Sequence, residues 1–514
     1  MISGCLLMTS IAVAQQGPTH HGSNNVVPAY GMTGQDQEQY VPYQPQAVYT
    51  NWQVGDPMAQ AESAYIGPPL QEGSGGFQYY GGENTYSFQP CESSYRPGLT
   101  CGPWFVTGWL DQGFTYNPDD PRSHNNIPLR FNDRSNEYQL NQLYLSMGRS
   151  VAKSGCKWDA GGRVDLLYGS DYLWTSAIGL ETHTTSYSGN PQPSPVGLPS
   201  RWNSNGGPRV GGASRFGLAM PQLYAEFYVP LHLGLNIKVG HFYSIMGYES
   251  VMSPQNFFYS HTYSMMYGQP MTHTGILMSQ RLTQRLTGIF GVTRGWDTWE
   301  DPNGKLSYLA GFRWNSWNGR TEFSWVAGSG NETVVDYYGG GGKSTPGAIR
   351  SQYSMVLSHQ LTPRLKLVTQ HDMGYEKDAN RILYDGTTSL VGGHWYSVSQ
   401  YVFLQLTQKL AFGVRGEWFR DVNGTRIYTE YPVRKFTAGN LVNEVEGTDY
   451  WDLSVGFNWK PYECLVVRPE ARWDWSDVSR INTDGVPPDG FAGMYNDFTK
   501  KSQTTISLSA IVTF

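Results

Sequence analysis

The chain has 514 residues, of which 14% are aromatic and only 15% charged, a charge content well below the roughly one quarter usual for soluble domains. Its formal net charge of -6, with 36 Lys and Arg against 42 Asp and Glu, shows no basic excess, and no stretch interleaves cations with aromatics, which excludes a nucleic-acid surface. No window of about eighteen apolar residues exists, which excludes a spanning helix; the mean hydropathy of -0.45 leaves a strand-built membrane protein open, because a transmembrane barrel alternates lipid-facing and lumen-facing side chains.

Taken from the start, residues 1–14 read MISGCLLMTSIAVA, an apolar core ending in Ala12-Val13-Ala14, which fits an A-x-A cleavage site although no positive residue precedes it. A cleaved signal peptide is the expectation, with a buried N-terminal segment the alternative. Residues 15–100 are rich in Gln, Gly, Pro and Tyr and lack aliphatic periodicity, so they bury too little apolar surface to offset chain entropy. A disordered, low-complexity periplasmic segment is expected there, either a plain linker or a tether. Cys5 leaves with the signal; of Cys91, Cys101, Cys156 and Cys464, the pair Cys91 with Cys101 is favoured under oxidising conditions.

From residue 101 onward the pattern changes to segments of about ten residues with period-two alternation. Trp451, Leu453, Val455, Phe457 and Trp459 share one face, while Asp452, Ser454, Gly456 and Asn458 share the other. Leu465 to Trp475 sets Leu465, Val467, Ala471, Trp473 and Trp475 against Arg468, Glu470, Arg472 and Asp474. Sixteen strands are predicted, near 103–115, 136–151, 158–169, 221–230, 233–242, 272–280, 286–296, 306–314, 320–328, 350–359, 365–374, 393–404, 411–420, 451–459, 465–475 and 501–514.

Connections after every second strand are tight, while the others run 116–135, 170–220, 243–271, 329–349, 375–392, 421–450 and 476–500, with 297–305 the one short exception. A soluble domain has no physical reason to place its long loops at one end; an outer-membrane barrel does. The expected fold is therefore all-β, a transmembrane antiparallel up-and-down β-barrel of about 16 strands spanning 101–514, exported to the cell outer membrane. Trp104, Trp158, Trp296, Trp314, Trp395, Trp451 and Trp475 fall at strand ends, where interfacial girdles would sit. The last strand ends on Phe514, similar to the C-terminal signal of outer-membrane barrels.

The run Lys238-Val239-Gly240-His241-Phe242 to Gly247-Tyr248-Glu249, then Asn256-Phe257-Phe258-Tyr259-Ser260-His261, Gln269-Pro270-Met271-Thr272-His273-Thr274-Gly275 and Gly295-Trp296-Asp297-Thr298-Trp299-Glu300-Asp301, resembles the OmpL-like β-barrel porin family of bacterial outer membranes, more loosely over roughly 100–514. Arg294-Gly295-Trp296 stands where Asn-Gly-Trp is expected. The resemblance implies an outer-membrane barrel that admits small solutes; it carries no catalytic residue and does not identify the solute.

In such a barrel Arg163, Asp165, Glu226, Lys238, Arg313, Glu322, Arg415, Glu417, Arg468, Glu470, Arg472 and Asp474 face the lumen, with signs that nearly cancel. They would set up a transverse field favouring polar solutes and a weak ion preference, or else brace the wall as ion pairs. The third long loop, 243–271, has Glu249 as its only acid and carries Phe257, Phe258, Tyr259, Tyr263 and Tyr267, too apolar for a solvated loop. It is expected to fold inward and narrow the pore, against the alternatives of an external plug or a subunit contact. Its rings would also suit stacking on sugars.

His241, His261 and His273 lack metal-ligand spacing, and no G-x-S-x-G, H-E-x-x-H or P-loop pattern occurs, so neither a metal, a cofactor nor an enzyme is expected. The expected function is passive diffusion of small polar solutes or ions, with outer-membrane lipid as the surrounding partner. The rival is a non-conducting surface barrel, a glycan-binding adhesin or envelope scaffold. Trimer-forming and lone barrels share the same alternation, which leaves a homotrimer open.

Overall fold

The computed structural model describes residues 99–101, 103–152, 156–182, 201–202, 215–300, 304–332, 349–382, 388–427, 448–477 and 492–514. The signal-peptide reading of 1–14, the segment 15–100 up to residue 98, and the Cys91–Cys101 pair lie outside the described residues. Cys156 and Cys464 are free thiols.

A short strand, β1 (Leu99–Cys101), precedes sixteen longer ones: β2 (Trp104–Tyr116), β3 (Tyr138–Arg149), β4 (Asp159–Gly169), β5 (Gly217–Val229), β6 (Leu235–Tyr243), β7 (Thr272–Arg281), β8 (Leu286–Thr293), β9 (Ser307–Asn315), β10 (Thr321–Asn331), β11 (Ile349–Thr362), β12 (Leu365–Ile382), β13 (Thr388–Thr407), β14 (Leu410–Asp421), β15 (Thr448–Tyr462), β16 (Leu465–Ser476) and β17 (Ser502–Thr513). From β2 onward each strand pairs antiparallel with its sequence neighbours, and β17 returns to β2 from Ile506↔Tyr116 to Thr513↔Trp109, closing a barrel. All sixteen predicted strands are present. The period-two pattern locates them because each has one face that must meet hydrocarbon and one that must not.

Burial is inverted relative to a soluble protein. On β15 Leu453 is 39% exposed and Phe457 38%, while the intervening Asp452 and Ser454 are buried at 2% and 0%. Leu143, Met147, Ile276, Leu357 and Leu508 are likewise exposed. An apolar belt of this extent is stable only against lipid, where each large aliphatic or aromatic side chain gains roughly 1.5–3 kcal/mol relative to water.

Tight turns lie at one end: Pro363 and Arg364 join β11 to β12, Gln408 and Lys409 join β13 to β14, and Glu463 and Cys464 join β15 to β16. The long connections lie at the other end. One of these is corrected: across the predicted loop 375–392, β12 and β13 continue as a hairpin to Ile382↔Thr388, outside the apolar belt where alternation no longer signals strand. The girdle is corrected in part. Trp104 and Trp158 are 60% and 72% exposed, but Trp395 is fully buried and stacks edge-on against Trp296 with ring centroids 6.2 Å apart. Trp395 shares the inward parity of Ser397 and Ser399, so its place at a strand end did not decide its face.

Candidate functional site

Residues 244–271, between β6 and β7, are buried throughout except the half-buried Pro254, and lie inside the barrel. Apart from a 3-10 turn at Ser253–Gln255 and a π-helical turn at Ser264–Gly268, the segment has no regular structure, so its backbone N–H and C=O groups need partners. The inward faces of the strands supply them. Arg468 Nη1 donates to the carbonyls of Ser253, Asn256 and Phe258 at 3.1, 3.1 and 3.2 Å, Arg415 Nη1 to that of Ser260 at 2.8 Å, and Arg472 Nη1 to that of His261. Glu470 accepts the amides of Tyr259 and Ser260 at 2.8 and 2.9 Å, and Glu417 accepts those of Tyr263 and Ser264. Gln370 accepts the Tyr248 amide at 2.7 Å, and Gln142 donates to the Val251 carbonyl at 2.7 Å.

Glu249, the loop's lone acid, is held by Arg415 at 3.0 Å, His261 at 3.1 Å, the Tyr401 hydroxyl at 3.1 Å and the Thr262 amide at 2.9 Å. The wall itself carries Arg163–Asp165 at 2.7 Å, Arg415–Asp452 at 3.2 Å, Arg472–Asp474 at 2.7 Å and Arg468–Asp111 at 3.3 Å.

Of the residues expected to face the lumen, Arg163, Asp165, Glu226, Lys238, Arg313, Arg415, Glu417, Arg468, Glu470, Arg472 and Asp474 are buried there, and Glu322 is half-buried. Those on β14 and β16 gather around the loop and bind it. Glu226 instead accepts from Asn236 at 2.6 Å, Lys238 lies 5.2 Å from the Tyr224 ring, and Arg313 and Glu322 sit on β9 and β10 away from this cluster.

Part of the wall is apolar. Leu277, Ile289, Leu309 and Val326 pack with Phe242, Ile245 and Met246; Val356, Val368, Tyr401 and Phe403 pack with Tyr248, Phe257 and Phe258. The rings of Phe257 and Phe403 are 5.0 Å apart. Gly413 and Gly113 make room for this arrangement: a Cβ on either would stand 2.4 Å from the Phe257 ring or 2.5 Å from the Tyr259 ring. The loop rings are thus engaged with one another and with the wall.

A second inward segment escaped the sequence reading. Leu129 and Phe131, in the β2–β3 connection, are 1% exposed; Arg130 donates to the Met266 carbonyl and lies 4.2 Å from the Tyr267 ring, whose hydroxyl donates to Pro128. The available signal was the apolar trio Ile127, Leu129 and Phe131 in a supposedly solvated loop. Asp111 and Asp372 were also missed, and Asp452, placed on the polar face of its strand, was left out of the lumen set, though each has lumen-facing strand parity.

At the long-loop end, Arg350 and Arg426 flank Trp296 at 4.4 and 4.9 Å, and Arg426 Nε donates to the Tyr267 carbonyl at 2.7 Å. Three carboxylates tie the outer loops together there. Glu181 accepts the amides of Ala177 and Met220 at 2.8 and 2.7 Å, Asp297 those of Met271 and Thr272 at 2.9 and 2.8 Å, and Glu332 that of Trp296 at 3.3 Å. Burial pushes Glu181 and Glu332 up to about 7 and Asp297 up to about 6, with mutual repulsion adding to each of the two glutamates through Asp297.

Among the described residues no group of three His, Cys, Asp or Glu side chains is placed to hold a metal ion. His241 Nδ1 meets Thr274 Oγ1 at 2.8 Å and His273 Nδ1 meets the Gly295 carbonyl at 3.3 Å.

The fold is similar to OprB of Pseudomonas putida (TM-score 0.48, 10% identity, 80% of this chain and 94% of that one), to the outer membrane channel DcaP of Acinetobacter baumannii (0.45, 11%, 80% and 97%) and to an anion-selective porin from Comamonas acidovorans (0.45, 8%, 80% and 99%). No curated protein sequence matches the chain. The family model described as Putative beta-barrel porin-2, OmpL-like, matches residues 104–514, and the chain belongs to that family.

Proposed function

We propose that the chain is an outer-membrane porin through which small polar solutes or ions diffuse, with a lumen narrowed by the loop between β6 and β7. The observation that carries this reading is the set of wall-to-loop hydrogen bonds from Arg415, Arg468, Arg472, Glu417 and Glu470, which fixes an irregular segment across the interior of a closed barrel. Irregular backbone at membrane depth is tolerated only where protein or a cavity satisfies its polar groups, and this loop meets that condition. Polar inner wall, apolar outer belt and long loops gathered at one end belong together in a diffusion barrel.

The test is single-channel conductance of the refolded protein in a planar bilayer, compared with a variant lacking residues 250–268. Stable steps that grow on deletion support the loop-narrowed porin. One observation favours a second reading: Arg415 and Asp474 are 0% exposed, so beside the loop these wall charges have no contact with solvent. A non-conducting surface barrel, adhesin or scaffold, would give no steps with or without the loop.

A further inference from the structure

We propose that the lumen passes cations in preference to anions, and that Asp372 on β12 and Glu417 on β14 form its cation-contacting wall beneath the inward loop. The proposal rests on the channel reading above and names the solute class that such a channel favours.

Setting aside Glu181, Glu376 and Asp421 at the long-loop end, where Arg350 and Arg426 face Glu376, ten buried carboxylates stand against seven buried Lys and Arg side chains among the described residues, so the interior carries an excess of negative charge. Asp111, Asp165, Asp452 and Asp474 each hold a guanidinium within 3.3 Å. Asp372 and Glu417 form no ion pair among the described residues, nor do Asp171 and Glu470, which likewise accept only from neutral donors; Asp372 and Glu417 differ in converging on one residue of the inward loop. Asp372 Oδ2 accepts only from neutral donors, the hydroxyls of Ser264 and Ser397 and the amides of Gln269 and Gln370, and Oδ1 accepts no hydrogen bond although the residue is 2% exposed. Glu417 accepts from the amides of Tyr263 and Ser264 and the Ser399 hydroxyl. The two carboxylates flank one residue, Ser264, whose hydroxyl serves Asp372 and whose amide serves Glu417. Arg415, two positions from Glu417, is engaged by Asp452 and Glu249 instead.

A carboxylate removed from bulk water without a counter-charge is costly, and the cost is relieved by a proton or by a mobile cation. In a conducting lumen the second relief is available at every passage. Fixed carboxylates that neutralise themselves with solution cations raise the local cation concentration and exclude anions, as rings of acidic side chains do in cation channels. The class of ligand is a small inorganic cation; K+ is the probe.

The experiment is the reversal potential of the wild-type protein in a planar bilayer under a KCl gradient, repeated with Asp372→Asn, Glu417→Gln and the double variant, both changes keeping side-chain volume. The expected result is a K+ to Cl- permeability ratio above about three in the wild type, falling at least about twofold in the double variant. A wild-type ratio at or below one overturns the cation preference while leaving the channel standing. An unchanged ratio in the conducting variants overturns the assignment to Asp372 and Glu417, as it would if a proton neutralised them. Absence of conductance in both the wild type and the form lacking residues 250–268 overturns the channel reading and this inference with it.

Discussion

At Glu470 one carboxylate meets two adjacent backbone amides, those of Tyr259 and Ser260, along with the Ser260 hydroxyl. Glu470→Ala leaves both amides buried without an acceptor, at about 1–3 kcal/mol each. The loop tip should then leave the wall, and Glu470→Gln, which keeps one acceptor oxygen, should fall between. Chymotrypsin reads this out, since Phe257, Phe258 and Tyr259 are cleavage positions buried at 3–4% in the seated loop. The Ala variant should be nicked at least tenfold faster at those positions; an unchanged rate would show that the loop is held elsewhere. Gly113→Val tests the same seat without touching a charge. Its added carbon would overlap the Tyr259 ring, so faster nicking is again expected, together with larger conductance steps.

Between elements, the outer loops form a latch built on buried carboxylates. The Ile178 amide donates to the Asp297 carbonyl at 2.7 Å and the Trp299 amide to the Ile178 carbonyl at 2.7 Å, joining the β4–β5 and β8–β9 connections, while Glu181 ties the first of these to β5 through Met220. Folding raises the Glu181 carboxyl from its ordinary 4.5 to about 7, so the folded loops hold the proton more tightly than the unfolded chain does. The stabilisation is complete below about pH 4.5 and is lost as pH rises toward 7, by up to about 3 kcal/mol. Hydrogen exchange at the amides of Ala177, Ile178 and Met220, corrected for intrinsic rate, should therefore quicken between pH 5 and 8. Glu181→Gln should flatten that dependence, and equal slopes in both forms would refute the assignment. The strands were legible in the sequence because alternation follows from facing lipid on one side, a constraint each strand obeys by itself. The loops obey no such local rule. Residues 243–271 betrayed themselves by having one acid among many rings, but Arg130 and Phe131 became interior only because Met266, Tyr267 and His261 are there to receive them. Asp372 was open to the same parity argument that placed Arg415; what alternation could not show is that Arg415 would be claimed by Asp452 and Glu249, leaving Asp372 with neutral donors.

For the whole molecule, the decisive step is closure, since a sheet in hydrocarbon cannot leave an edge unpaired. The seam joins the last strand to the first long one, and Phe514 ends it: its amide donates to the Gly108 carbonyl and its carbonyl accepts the Gly108 amide, both at 2.9 Å. The Phe514 ring lies on Gly108, where an added Cβ would come within 2.7 Å of it. Beyond this rung the partner of β2 changes from β17 to β1, which continues the pairing from Val106 to Trp104. Removing Phe514 deletes two backbone hydrogen bonds and exposes two groups on β2 at the point where one partner hands over to the other. The loss should reach about 1–3 kcal/mol, since two backbone hydrogen bonds are removed at once. The urea midpoint of refolded protein in detergent or lipid should fall accordingly, and Phe514→Ala, which removes the ring while keeping both backbone bonds, should cost less. If deletion of Phe514 leaves the midpoint unchanged, the seam is held by the eight paired positions from Ile506 to Thr513 alone, and the terminal aromatic residue has no part in the stability of the closed barrel.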